Sequence, residues 1–94
     1  MELLTEVLRA RIPLIGKSER DPWIYCKFFT PDGGWTWWVC EYDGEDLFFG
    51  CAEGLMRELG YFSLRELMQV RGRLGLRVER DRFFQPVRLS ELIG

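Results

Sequence analysis

The stretch from Trp23 to Gly50, WIYCKFFTPDGGWTWWVCEYDGEDLFFG, holds all four tryptophans of the chain. Two turn signals, Pro31-Asp32-Gly33-Gly34 and Asp43-Gly44-Glu45, divide it into three apolar runs. Apolar runs separated by short Gly- and Asp-rich turns read as an antiparallel β-meander. Neighbouring side chains of a strand point to opposite faces. Here both parities are bulky, with Trp23, Tyr25 and Phe29 on one and Ile24, Cys26 and Phe28 on the other. A sheet with one wet face alternates apolar with polar. So either both faces of this sheet are covered, or one presents aromatic rings to a partner.

The flanking sequence offers helices as cover for one face. Glu2 to Arg11 reads as a helix with Leu3, Leu4, Val7 and Leu8 in one stripe, stopped by Pro13. Strands are expected at Trp23–Phe29, Trp35–Tyr42 and Asp46–Ala52, with a turn and a short fourth strand within Leu55–Phe62. Ser63-Leu64-Arg65-Glu66 is a capping box, which opens a second helix with Leu64, Leu67, Met68 and Val70 on its inner face. Gly72 is the expected C-cap of that helix. Pro86 bars a long helix after it, and Leu89–Ile93 reads as a final helical turn with Ser90 as a weak cap. The order predicts one α+β domain over residues 1–94. Its meander of three to four antiparallel strands packs against an N-terminal helix and a second helix after the sheet, with the helices on one face.

At 94 residues the chain can bury one modest core. Its apolar runs fall far short of the roughly 20 residues of a membrane span. The acidic start Met1-Glu2-Leu3-Leu4-Thr5-Glu6 is unlike a signal peptide. Cys26, Cys40 and Cys51 are odd in number and lie in strand-like runs, as free buried thiols of a reducing cytoplasm would. Three thiolates and a carboxylate are a zinc-binding set in principle, but paired C-x2-C spacing is missing and the chain has no His.

The same lack of His removes the usual imidazole base. Gly33-Gly34 sits at a hairpin tip rather than before a helix, so no phosphate-binding glycine motif is present. Asp43, Glu45 and Asp46 are numerous enough to hold Mg²⁺, yet Asp-Gly is also simply what a hairpin turn needs. No catalytic, cofactor-binding or metal-binding residue is assigned, and the expectation is a protein that binds rather than catalyses.

Charge is uneven along the chain. Residues 65–88 carry seven Arg against Glu66, Glu79 and Asp81, while Glu41, Asp43, Glu45, Asp46, Glu53 and Glu58 are acidic. Two binding modes follow. Trp and Arg are enriched at protein interface hot spots, and Trp35 and Trp37 as anchors with Glu41, Asp43, Glu45 and Asp46 as an acidic rim would suit a basic channel on a partner protein. An aromatic sheet could equally be a homodimer seam. Alternatively, Tyr25, Trp35 and Trp37 could stack single-stranded bases while Arg71, Arg73, Arg77, Arg80 and Arg82 track phosphates, Arg73 and Arg77 foremost.

The segments KFFTPDGGWTWWVCEYDGEDLFFG, ELGYFSLREL, RGRLGLRVERDRFFQP and LSEL resemble a family of short bacterial proteins of unassigned function, carried on plasmids, integrative elements and phages. The resemblance implies a setting and no chemistry. Small proteins of mobile elements often counter host defences, so the expected function is inhibition of a CRISPR or restriction protein by covering its surface. The alternative is the single-strand binder.

Overall fold

The computed structural model describes residues 1–94. In chain order the elements are α1 (Glu6–Arg11), β1 (Trp23–Ile24), β2 (Cys26–Phe29), β3 (Thr36–Tyr42), β4 (Leu47–Glu53), β5 (Arg57–Ser63), α2 (Leu64–Gln69), β6 (Glu79–Arg80), β7 (Val87–Arg88) and α3 (Leu89–Ile93). A five-stranded antiparallel sheet has the order β5-β4-β3-β2-β6, and β1 pairs with β7 in a separate two-stranded sheet. The fold is α+β with the meander at its centre.

Both faces of the sheet are covered. On one, Phe28, Trp37, Val39, Tyr42 and Phe48 pack with Leu3, Leu4, Ile12, Leu67 and Val78. On the other, Trp38, Cys40 and Cys51 pack with Ile24 and Leu89. The chain therefore builds two small cores, where its length suggested one. The helices divide between them, with α1 and α2 on the first face and α3 on the second, rather than sharing one face. Full burial of Phe28 and Phe48 contributes about 1.5–3 kcal/mol each.

A bulge in β3 lets this happen. Val39 pairs with Gly50, but the next pair is Glu41 with Phe49, so Cys40 is the extra residue. The bulge reverses the alternation beyond it. Tyr42 thereby joins the first core, its ring 4.9 Å from Phe48, and Glu41 turns to the opposite side. Gly50 faces this kink, and a Cβ there would lie 1.9 Å from the Trp38 carbonyl oxygen.

Several local expectations are corrected. The first helix begins at Glu6, because the Thr5 hydroxyl accepts from the Leu8 amide and caps it there. Leu3 and Leu4 reach the core from the segment ahead of it, and Val7 is exposed. The fourth strand is a full seven residues and matches β4 residue for residue. The Ser63 hydroxyl does accept from the Glu66 amide and caps α2. Met68 is exposed, and α2 ends in extended backbone at Val70, so Gly72 is not its cap. Ser90 does not cap α3 but docks on Asp21, whose carboxylate accepts from its amide and hydroxyl.

Candidate functional site

The tryptophans fall into two pairs. Trp37 and Trp38 alternate across β3 and are buried in opposite cores. Trp23 and Trp35 lie outside, 38% and 49% exposed. The Trp23 ring is covered by the Arg88 guanidinium, 4.3 Å from its centroid. No cation covers Trp35.

Trp35 is nonetheless held firmly. Its amide donates to the Thr30 hydroxyl and its carbonyl accepts from the Thr30 amide, each at 3.0 Å. Its ring stacks on Trp37 at 5.9 Å and 19°. The benzo part of the indole rests on Gly54, where a Cβ would lie 2.4 Å from Cζ2. The result is an aromatic surface fixed in place and half open.

Trp35 borders a cleft of about 450 Å³ together with Thr30, Gly33, Gly34, Gly54, Leu55, Val70, Arg71, Gly72 and Arg73. The cleft exists because two loops meet. The Asp32 carboxylate, at the tip of the β2–β3 turn, accepts from the amides of Leu74 and Leu76. It thus clips the loop 71–77 against the hairpin. That loop is closed by the Arg71–Arg77 bridge and by the Gly72 amide donating to the Leu76 carbonyl. The Arg71 guanidinium folds back on the Met68 and Val70 carbonyls. Arg73 makes no ion pair and faces the cleft.

The structure disperses the other sequence candidates. Trp37 is 7% exposed and offers no surface to a partner, since it belongs to the first core. Tyr25 lines a separate depression with Pro13, Lys17, Ser18, Glu19 and Trp23. Arg77 lines a third, apolar one with Leu3, Leu4, Leu67, Met68 and Val78. The three-ring platform of Tyr25, Trp35 and Trp37 is therefore not assembled, and Arg73 and Arg77 face different depressions.

The acidic rim is largely folding machinery. Glu41 is 7% exposed. Its carboxylate accepts from the Gly16 amide at 3.0 Å, the Ser18 amide at 3.1 Å and the Ser18 hydroxyl. Burial alone would push its pKa up, but these donors outweigh it and hold the carboxyl below its ordinary value. Asp43 closes its own turn, accepting from the amides of Asp46, Glu45 and Leu47, and these bonds depress its pKa. Asp46 accepts from the Ser63 hydroxyl and the Arg65 amide, with the same effect, and so ties the turn to the start of α2. Of the four, only Glu45 has a carboxylate without a partner.

The three thiols are buried and unpaired. Desolvation pushes Cys26 and Cys40 up to about 12 and raises Cys51 as well, which keeps all three in the unreactive thiol form. No helix is long and apolar enough to cross a membrane.

Leu55 and Gly54 enter the site unannounced by the sequence, whereas Arg71 belongs to the Arg segment already singled out. Leu55 is wholly exposed at the β4–β5 turn, and its only signal is an apolar residue directly after the Glu53-Gly54 break.

Fold and surface together define a small α+β domain with one open, preset aromatic corner. The chain belongs to the family described as protein of unknown function (DUF2958), whose model matches residues 2–93. No curated protein and no solved structure matches the chain.

Proposed function

We propose that this is a non-catalytic binding domain whose Trp35 corner covers a functional surface of a partner protein. The carrying observation is Trp35 itself: half exposed, free of any cation, and immobilised by Trp37, Gly54 and Thr30. A ring already fixed in its bound orientation loses little freedom on association, so more of its burial appears as affinity. Arg73 and Leu55 beside it add the charged and apolar neighbours common around such anchors.

For the partner we propose a host defence protein of the CRISPR or restriction type. Support for that part comes from the mobile-element setting that the family resemblance implies. The surface engaged differs from the sequence expectation, because Asp43 and Asp46 are occupied by backbone amides. The rim of the contact is instead the unpaired Arg73, which suits an acidic border on the partner.

Single-stranded nucleic acid has less support. Of the three rings proposed to stack bases, only Trp35 is open beside an Arg. That reading requires binding that weakens steeply with salt, whereas a protein contact survives nuclease treatment. Titrating candidate defence complexes with the pure protein separates the two. A stoichiometric complex free of nucleic acid, lost on Trp35→Ala, supports the proposal, and its persistence in that variant refutes the assigned surface.

A further inference from the structure

The two edges of the five-stranded sheet are treated differently. β6 is two residues long, and the Arg80 side chain turns back to bind the Glu2 and Leu3 carbonyls. β5 runs seven residues, Arg57–Ser63, paired without a bulge to β4. It contains no Pro and no Lys, the usual protections of an open edge. Apart from the Ser63 carbonyl, which as the N-cap of α2 accepts the first intrahelical bond, no backbone group of these residues is engaged outside the sheet ladder.

The direction of the free groups follows from the rungs at either end of the β4–β5 ladder. The Leu64 amide donates to the Asp46 carbonyl, and the Gly54 amide to the Met56 carbonyl. Bonded pairs alternate in an antiparallel ladder. Glu58, Gly60 and Phe62 therefore bond inward to β4, Arg57, Leu59 and Tyr61 direct their amides and carbonyls outward, and Ser63 directs its amide outward.

We infer that this edge is the seam of a two-fold dimer, β5 pairing antiparallel with β5 of a second copy about an axis at Gly60. In this register Leu59 faces Tyr61 of the second copy, and Arg57 faces Ser63. These are the residues with outward groups, so the amides and carbonyls of Leu59 and Tyr61 pair in full, and the Arg57 carbonyl accepts from the Ser63 amide. Gly60 meets its own counterpart at the axis. That is a non-hydrogen-bonded position, where Cα atoms come closest, and Gly60 has nothing near its missing Cβ.

The side chains fit the same register. Leu59 and Tyr61 are 51% and 62% exposed and share the face on which Tyr61 packs against Phe49, 5.2 Å between ring centroids. Each would cover the other across the seam, twice by symmetry. Glu58 falls opposite Phe62, so no like charges meet. A second copy satisfies the geometry because the pattern of outward groups, apolar pair and central glycine is its own complement.

The test is sedimentation velocity of the reduced full chain from micromolar to millimolar concentration, with circular dichroism as the fold control. The wild type is expected to dimerise. Leu59→Pro removes an outward amide without touching the β4 ladder, and leaves a folded monomer. Leu59→Glu places a carboxylate against Tyr61 and raises the dimer Kd by about tenfold or more. Adding Tyr61→Lys to Leu59→Glu pairs the two charges and restores the dimer only in this register. A monomeric wild type, a dimer indifferent to Leu59→Glu, or a double variant that does not recover overturns the inference. Trp35→Ala remains dimeric, so this seam and the Trp35 corner stand or fall separately.

Discussion

The indole of Trp35 lies on the backbone of Gly54, so close that a methyl group added there would sit 2.4 Å from the ring. The β4–β5 turn is thus part of the mounting of the exposed aromatic corner. Gly54→Ala is expected to swing the ring off Trp37 and to cost about 1–2 kcal/mol, as overpacking does. Tryptophan fluorescence should shift to the red with little change in far-UV circular dichroism. An unaltered spectrum would mean that Trp35 is not held as described.

Asp32 and Gly72 form a second close contact, a Cβ on Gly72 falling 1.6 Å from the Asp32 carboxylate. The loop 71–77 and the β2–β3 turn are therefore mutually dependent. Asp32→Ala is expected to free the Leu74 and Leu76 amides, whose hydrogen exchange should accelerate well beyond that of β3 and β4. Such side chain to backbone bonds are worth about 1 kcal/mol each, so the domain should stay folded at room temperature. Unchanged protection of both amides would contradict the clip.

Glu41 gives a pH-dependent test. Its native pKa lies below the ordinary 4.5, so the unfolded state binds more protons as the pH falls. Its contribution is complete above the unfolded value and disappears as pH drops through the native value. Glu41→Gln presents an amide to three donors and should cost about 1–3 kcal/mol at neutral pH. The gap between wild type and variant in urea melts should narrow steadily below pH 5. A gap that stays constant to pH 3 would show that the carboxylate's charge is not what holds Gly16 and Ser18.

The three cysteines should be silent in the native state. With Cys26 and Cys40 pushed up to about 12 by burial, the thiolate fraction at neutral pH is negligible. Dithiobis-nitrobenzoate should label none of them until denaturant opens the cores, and then all three together. Rapid labelling of one thiol under native conditions would show that a core opens locally.

The strands were readable because short apolar runs, Asp-Gly turns and aromatic density agree with one another from Trp23 to Gly50. Doubly bulky parity also left two options, both faces covered or one open to a partner, and the structure shows the first. What it could not reveal is the bulge at Cys40, which depends on Gly50 across the ladder and decides the side of Glu41. Nor could it show that Asp43 and Asp46 spend their carboxylates on backbone amides, because an acidic turn reads the same whether solvated or capped. The seven-residue length of β5 was obscured by Gly60 and by its charged first half. Trp35 was legible as a candidate, but its exposure beside a buried Trp37 follows from which residue lies inside β3 and which just before it.

The most direct test of the central claim is capture of a partner from nuclease-treated lysate of a host cell, comparing wild type with Trp35→Ala, Arg73→Glu and Glu45→Gln. Wild type and Glu45→Gln should retain the same stoichiometric protein. Trp35→Ala should weaken that complex by about 2 kcal/mol or more, roughly thirtyfold, as loss of a central tryptophan does, and Arg73→Glu should weaken it measurably. A partner held equally well by Trp35→Ala, or one that disappears with nuclease, would contradict the account.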